Sequence, residues 1–177
     1  MLNNIKNIYF LGVGGIGMSA LAHWTYLHKM NIQGWDDNIE SPALSMLIKA
    51  GIIVHNSTKK VEFFRDIKEF NNKNTIIIYT PAISKDHEIF VYFKLKKYKI
   101  FKRADLLEFI SQNYKVVAVA GTHGKTTISI MLSHILRFAE IKCNAFFGGI
   151  SINYDSNFLI GDSNIMVVEA DEYDKSF

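Results

Sequence analysis

The sequence contains two glycine-rich loops, and each follows an apolar run that predicts a β-strand and precedes a run that predicts an α-helix. The first lies in YFLGVGGIGMSALA at residues 9–22, and the second lies in AVAGTHGKTTISI at residues 118–130. Such a loop is a common phosphate-binding element, because the N-terminus of the helix presents N–H groups to an anion. A chain of 177 residues with two such units is therefore expected to be an α/β protein with two phosphate-binding sites.

The first part of the chain alternates between predicted strands and predicted helices. Further short apolar runs predict strands at IQGW, IIVH, TIIIYT and KIF. Ser41 and Pro42 predict the start of a helix with Leu44, Leu47 and Ile48 as its apolar stripe. A second helix, with Asp86 as its cap, carries Ile89, Phe90 and Phe93. This alternation predicts a parallel sheet covered by helices.

A new unit begins at the strand KVVAVA. Its predicted helix carries apolar residues on one face, namely Ile128, Met131, Leu132, Ile135 and Leu136. The runs NAFFGG and NIMVVEADE predict two more strands. The sequence therefore predicts two domains, a Rossmann-like domain at residues 1–108 and a second α/β domain at residues 109–177.

The first glycine loop matches the dinucleotide-binding pattern G-x-G-x-x-G at Gly12, Gly14 and Gly17. Asp36 follows the second predicted strand and is placed to accept a hydrogen bond from a ribose hydroxyl. The motif alone also fits glycines that only pack a strand against a helix. It equally fits an NAD-dependent dehydrogenase, although no other feature of the sequence indicates hydride chemistry.

The second glycine loop predicts ATP binding. It ends in the G-K-T-T of a P-loop, in which Lys125 reaches the β- and γ-phosphates and the Thr126 hydroxyl coordinates Mg²⁺. It departs from the strict pattern, since Val119 occupies the first glycine position. The predicted ATP-binding residues are Gly121, Thr122, His123, Gly124, Lys125, Thr126 and Thr127. For His123 the loop leaves open a structural role or contact with substrate.

An acidic run follows the last predicted strand, and it contains Glu169, Asp171, Glu172 and Asp174. Carboxylates at the end of a strand beside a P-loop are suited to hold a nucleotide-bound metal, because Mg²⁺ prefers oxygen ligands. Glu169 is the first choice, since it directly follows the strand, and Glu172 is the second.

Five segments follow one another along the chain in the order GVGGIGMSALA, TPAI, AVAGTHGKTT, FFGGI and VVEADEYDKSF. Together they resemble the Mur ligases of bacterial cell-wall synthesis. The resemblance implies that the first loop binds the diphosphate of UDP-N-acetylmuramate and that the second binds ATP with Mg²⁺. It implies attack of the muramate carboxylate on the γ-phosphate of ATP, giving an acyl phosphate and ADP. The amine of L-alanine then displaces phosphate.

The resemblance also implies roles for particular residues. Lys125 and His123 are the catalytic candidates, and Thr126 and Glu169 are the metal ligands. The residues expected at UDP-N-acetylmuramate are Gly12, Gly14, Gly15, Ile16, Gly17, Met18, Asp36, Thr80, Pro81, Ala82, Gly148 and Gly149. Members of the family are longer, so the resemblance implies that the chain is a fragment and that residues 109–177 are the start of a P-loop ATPase domain. A ligase that attaches a preformed tripeptide and a non-catalytic UDP-sugar-binding module are the alternatives.

Composition excludes several other classes of partner. The net charge of +3 is too small to indicate nucleic-acid binding, and no apolar run approaches the roughly 20 residues of a membrane helix. Glycines interrupt the N-terminal apolar run, which argues against a signal peptide. The single cysteine, Cys143, cannot form an internal disulfide. We expect a cytoplasmic protein, and the sequence leaves self-association open.

Overall fold

The computed structural model describes residues 4–170. Its contacts divide the chain into two compact units, one ending at Arg103 and one beginning at Ala104. The first unit contains β1 (Asn7–Leu11), α1 (Ile16–Leu27), β2 (Asn31–Trp35), α2 (Pro42–Lys49), β3 (Ile53–His55), α3 (Lys60–Asp66), β4 (Thr75–Tyr79), α4 (Glu88–Leu95) and β5 (Lys99–Lys102). Helix α5 (Arg103–Ser111) begins at the division, so the boundary predicted after residue 108 falls inside a helix and remains a prediction.

The five strands of the first unit form one parallel sheet in the order β3-β2-β1-β4-β5. The predicted α/β class is therefore confirmed. Strand β1 lies at the centre, and the chain moves outward from it in both directions, through β2 on one side and through β4 on the other. In open sheets of this kind a ligand binds beyond the carboxyl ends of the strands where the order reverses. The first glycine loop leaves β1 at that position.

Strand β1 is completely buried because both faces of the sheet are covered. On one face, Tyr9 and Leu11 pack into a cluster of aromatic and aliphatic side chains that includes Phe63 of α3 and Phe93 of α4. Alternation along the strand places Ile8 and Phe10 on the opposite face, and both are fully buried. A strand with two covered faces is apolar along most of its length. The same reason explains the unbroken apolar run from which β4 was predicted.

Four details of the first unit differ from the sequence prediction. Helix α3 was not predicted; it follows a short 3-10 turn capped by the side chain of Asn56. Ser41 precedes α2, but its hydroxyl donates to the carbonyl of Gly14 and makes no cap hydrogen bond. Ile48 is exposed, so it is not part of the buried stripe of α2. His87, and not Asp86, caps α4, because its Nδ1 accepts from the N–H of Ile89.

The second unit contains β6 (Lys115–Val119), α6 (Lys125–Phe138), β7 (Asn144–Ser151), β8 (Ser156–Leu159) and β9 (Ile165–Glu169). Its sheet has the order β6-β9-β7-β8, in which β8 pairs antiparallel to β7 and the other pairs are parallel. Strand β8 was not predicted. Its four residues SNFL are too short and too mixed to stand out as a strand.

The predicted buried face of α6 is only partly correct. Leu132 and Leu136 pack against the core of the second unit, together with Ile130. Ile128, Met131 and Ile135 are more than half exposed. The helix therefore has apolar residues on two faces, and the sequence alone does not distinguish the face that packs. None of the described helices is long and apolar enough to cross a membrane.

Candidate functional site

The first glycine loop is held by the two strands that flank β1. The N–H groups of Gly12 and Val13 donate to the carbonyl of Trp35, the last residue of β2. Gly12 has a φ of +81°, and a Cβ atom there would lie 2.6 Å from Cγ2 of Thr80, which follows β4. Both the backbone conformation and the space therefore require glycine at position 12. The turn at Thr80 and the glycine loop are thus in contact.

Asp36 shapes the glycine loop from the end of β2. Its Oδ2 accepts from the N–H of Gly14 at 2.7 Å, and its Oδ1 accepts from the N–H of Asn38 at 2.9 Å. A Cβ on Gly14 would lie 2.9 Å from Oδ2, so glycine at this position lets the carboxylate approach. Ser41 donates to the Gly14 carbonyl at 2.8 Å. Sequence analysis did not find this role of Ser41, and no motif signals it.

These contacts decide which loop N–H groups can face an anion. The N–H of Gly14 is used by Asp36, and that of Gly15 points to the carbonyl of Gly12. Gly17 and Met18 lie in the first turn of α1, where the helix itself supplies no acceptor for their N–H groups. The N–H groups of this loop that remain available to an anion are therefore at the start of α1.

The neighbouring residue Asp37 fixes the segment after β2. Burial raises the pKa of its carboxyl, but hydrogen bonds from Ser57 and Trp35 and the nearby His87 outweigh this and hold the pKa below its ordinary value. The N–H of Ser57 donates to Oδ1 at 2.7 Å, and the indole of Trp35 donates to Oδ2 at 3.3 Å. Asp37 is ionised at neutral pH and connects β2 to the segment after β3.

The second glycine loop has the backbone of a phosphate loop. Gly124 has a φ of +74° and forms the N-cap of α6, so the loop turns sharply into the helix. Lys125 folds back over the loop, and its Nζ donates to the carbonyl of Gly121 at 2.7 Å. His123 is exposed at the tip. The ammonium group is thus positioned over the loop that is expected to enclose phosphates.

Thr126, Gly148 and Glu169 form a compact group beside this loop. The Thr126 hydroxyl donates to Oε2 of Glu169 at 3.1 Å, and the N–H of Gly148 donates to Oε1 at 2.7 Å. A Cβ on Gly148 would lie 2.7 Å from Oε2, so a side chain there would displace the carboxylate from this position. The last residue of β9 is thereby brought to the first turn of α6.

This pair of oxygen donors fits Mg²⁺. Such an ion is usually held by one or two protein oxygens and completes its shell with water and substrate phosphates. Residues 4–170 contain no group of three His, Cys, Asp or Glu side chains that could hold a metal by themselves. Among the described residues, Thr126 and Glu169 would therefore hold an ion together with water and a phosphate ligand.

The structure divides the predicted site residues into two groups. The first group lies at the first loop and consists of Gly12, residues 14–18, Asp36 and Thr80. Pro81 and Ala82 are exposed in the turn that follows Thr80. Gly148 and Gly149, predicted at the UDP-sugar, lie beside Thr126 at the second loop. Asp171, Glu172 and Asp174 lie outside the described residues. The binding and catalytic roles of all these residues remain predictions.

The fold defines an α/β protein in which each of two units carries a glycine-rich loop between a strand and a helix, and comparison with known proteins gives the family. The model of the Mur ligase family, catalytic domain, matches residues 7–115. This chain belongs to the Mur ligase family.

Curated relatives extend the similarity over nearly the whole chain. A UDP-N-acetylmuramate–L-alanine ligase of Porphyromonas gingivalis is 45% identical over 174 residues, which are 98% of this chain and 38% of the relative. The enzyme of the same name from Phocaeicola vulgatus is 43% identical over 180 residues, again 38% of its length. The chain thus spans about two fifths of the curated relatives it matches.

Solved structures share the fold. The UDP-N-acetylmuramate-alanine ligase of Thermotoga maritima superposes with a TM-score of 0.78 at 25% identity, covering 92% of this chain and 37% of that one. A UDP-N-acetylmuramate:L-alanyl-gamma-D-glutamyl-meso-diaminopimelate ligase from Neisseria meningitides gives a TM-score of 0.84 at 24% identity, covering 97% and 54%.

Proposed function

We propose that this chain is the nucleotide-sugar-binding and ATP-loop part of an ATP-dependent ligase that joins L-alanine to UDP-N-acetylmuramate. The observation that carries the proposal is the pair of phosphate loops, one in each unit, in a Mur ligase chain whose relatives at 43–45% identity have this activity in their names. A dehydrogenase would use the first loop alone and would leave the second unexplained.

The first unit holds the nucleotide sugar. The start of α1 faces the diphosphate with its first-turn N–H groups, and the positive end of the helix dipole favours this charge. Asp36 keeps the loop in shape through Gly14, and its remaining lone pairs accept a ribose hydroxyl. The first unit therefore positions the sugar but does not activate it.

The second unit holds ATP. Lys125 exchanges its hydrogen bond with the Gly121 carbonyl for the β- and γ-phosphates, and Thr126 and Glu169 are the residues that would hold Mg²⁺. The ion, when bound, neutralises charge on the phosphoryl group during transfer. The muramate carboxylate receives that group as an acyl phosphate and ADP leaves, and the amine of L-alanine then displaces phosphate to form the amide. ATP and the nucleotide sugar are found in the cytoplasm, where we expect the chain to act.

The test measures each binding site and the reaction separately. Calorimetry with the purified chain is expected to show binding of UDP and of ATP with Mg²⁺, and no binding of NADH. Binding of NADH in place of UDP would overturn the proposal in favour of a dehydrogenase.

The reaction is tested by mass spectrometry after incubation with UDP-N-acetylmuramate, ATP, Mg²⁺ and either L-alanine or a preformed tripeptide. We expect no multiple-turnover product from this chain alone, because it spans 38% of the length of its relative and positioning of the amine contributes about 7–11 kcal/mol to such reactions. A long relative should form the alanyl product. Formation of the tripeptide product instead would favour the alternative ligase.

A further inference from the structure

We propose that Arg103 binds the diphosphate of the nucleotide sugar, and that Gly17 is a glycine because the guanidinium group of Arg103 occupies the space beside it. The inference rests on the proposed function of the first glycine loop. It adds a positively charged side chain to a diphosphate site whose other proposed donors are backbone N–H groups.

The sheet register brings Arg103 to the loop. Leu11 of β1 pairs with Tyr79 of β4, and Tyr79 pairs with Lys102 of β5. These three residues end their strands in one row at the carboxyl edge of the sheet. Arg103 follows Lys102 just as Gly12 follows Leu11, so both leave the sheet at the same level. Arg103 thus belongs to the edge where ligands of such sheets bind.

The distances place the guanidinium against the start of α1. A Cβ on Gly17 would lie 2.5 Å from Nη1 of Arg103 and 3.3 Å from its Cζ. In an α-helix the bond from Cα to Cβ tilts toward the N-terminus. The guanidinium on that side of Gly17 therefore lies toward the N-terminal end of α1, where the first-turn N–H groups face an anion.

Two sources of positive potential thus coincide. The N-terminus of α1 carries a partial positive charge, and no acidic residue is present in its first turn. The loop itself offers few donors, since the N–H groups of Gly14 and Gly15 already have acceptors. A diphosphate carries more charge than two or three N–H groups neutralise, and a guanidinium can bind two of its oxygens at once.

The third glycine of G-x-G-x-x-G usually allows close packing of the helix on the strand. In this chain the nearest atoms to a Cβ at Gly17 all belong to the Arg103 side chain. Replacement of Gly17 by alanine would therefore displace the end of a flexible side chain and leave the backbone in place. This makes Gly17→Ala a probe of the position of Arg103 in a folded protein.

The experiment measures the affinity of the whole chain for UDP, UMP and uridine by calorimetry, with unfolding curves of each variant without ligand. Arg103→Met should weaken UDP binding roughly tenfold or more, weaken UMP binding less and leave uridine unchanged. Arg103→Lys should restore part of the loss. The matched control is Lys99→Met, which removes an exposed charge from β5 and should leave all three affinities unchanged.

A double-mutant cycle tests the link to Gly17. Gly17→Ala should weaken UDP binding in the parent chain but cause no further loss in the Arg103→Met background. Unchanged UDP affinity in Arg103→Met would overturn the inference. So would an equal loss for UDP and uridine, or additive effects of the two substitutions. If the parent chain binds no UDP at all, the proposed function fails as well, and this outcome is distinct from failure of Arg103 alone.

Discussion

The two units contain the same local arrangement, a strand followed by a glycine loop and a helix, but they place it differently in their sheets. Strand β1 lies in the middle of five strands and is buried along its whole length, whereas β6 lies at the edge of four strands and buries only Val119. The first loop is therefore fixed from two sides, by Asp36 after β2 and by Thr80 after β4. The second is fixed from one side, because Thr126 after the loop donates to Glu169 of β9, and Glu169 in turn accepts from the N–H of Gly148 in β7.

The comparison shows that the motif specifies the chemistry of a loop, while neighbouring strands specify how firmly it is held. The helices differ in the same way. The residues of α1 from Met18 to Ala22 are all buried, whereas α6 exposes an apolar stripe of Ile128, Met131, Ile135 and Phe138. An exposed stripe of this kind favours association with other apolar surfaces.

The largest expected effect is a difference in the free energy of unfolding between two phenylalanine-to-alanine variants, one in each unit. Phe93→Ala should lower the free energy of unfolding by about 3–5 kcal/mol, because the ring is fully buried against Tyr9, Phe63 and Tyr98. Phe138→Ala should change it by less than about 0.5 kcal/mol, because this ring is 86% exposed on α6. Urea denaturation of both variants measures the difference. Equal losses would show that α6 is covered in solution and would remove the contrast between the units.

The next effect tests whether the two loops act independently. Lys125→Ala should weaken ATP binding by roughly 10- to 100-fold, since a charge-assisted hydrogen bond contributes about 1.5–3 kcal/mol. UDP affinity should not change, because Lys125 contacts the Gly121 carbonyl within the second loop. Calorimetry with each ligand checks both statements. A parallel loss of UDP affinity would contradict the assignment of one ligand to each loop.

Gly14→Val is the reciprocal variant and should weaken UDP binding roughly tenfold. The new side chain would collide with the Asp36 carboxylate, which lies 2.9 Å from the Cβ position, and would release the hydrogen bond that shapes the loop. ATP affinity of the same sample serves as the control for folding. Gly14 does not have a positive φ, so the expected damage is steric. Retention of UDP affinity would mean that Asp36 does not support the site.

The sequence predicts those parts of the structure that depend on local pattern. Both glycine loops, the parallel sheet of the first unit and the strand that ends in Glu169 follow from apolar runs and glycine spacing. The pairing of Thr126 with Glu169 was expected only as a shared role in metal binding, because their contact depends on how β9 packs beside β6.

Contacts between distant segments could not be predicted. Ser41 is a good N-cap residue by type, yet its hydroxyl reaches Gly14 because β1 and α2 meet at the carboxyl edge of the sheet. The position of Arg103 beside Gly17 depends on the strand order, which a single sequence does not reveal. The apolar residues of α6 have helical spacing on more than one face of the helix. Leu132 and Leu136 lie on the face that packs against the core, which the spacing alone does not identify.

The smallest expected effect is the loss of stability when one of two ion pairs is broken. One pair is connected by hydrogen bonds to the buried sheet, and the other lies on the surface. Asp66 lies at the end of a network in which His55 connects it to the buried Tyr9 hydroxyl. The hydrogen bond from Arg65 holds the pKa of the Asp66 carboxyl below its ordinary value, and the hydrogen bond with His55 also lowers it. Since the folded state prefers the ionised form, this stabilisation is present above pH 4 or so and is lost as the pH falls through the lowered pKa.

Asp66→Asn should therefore lower the free energy of unfolding at pH 6 by less than about 1 kcal/mol, and the difference from the parent chain should vanish near pH 2. The control is Lys142→Gln, which breaks a pair with Asp162 whose side chains are exposed and 3.9 Å apart. Urea denaturation at the two pH values should show no effect of this control at either. A loss in Asp66→Asn that persists unchanged in acid would mean that the network stabilises the sheet through packing and not through the charge of Asp66.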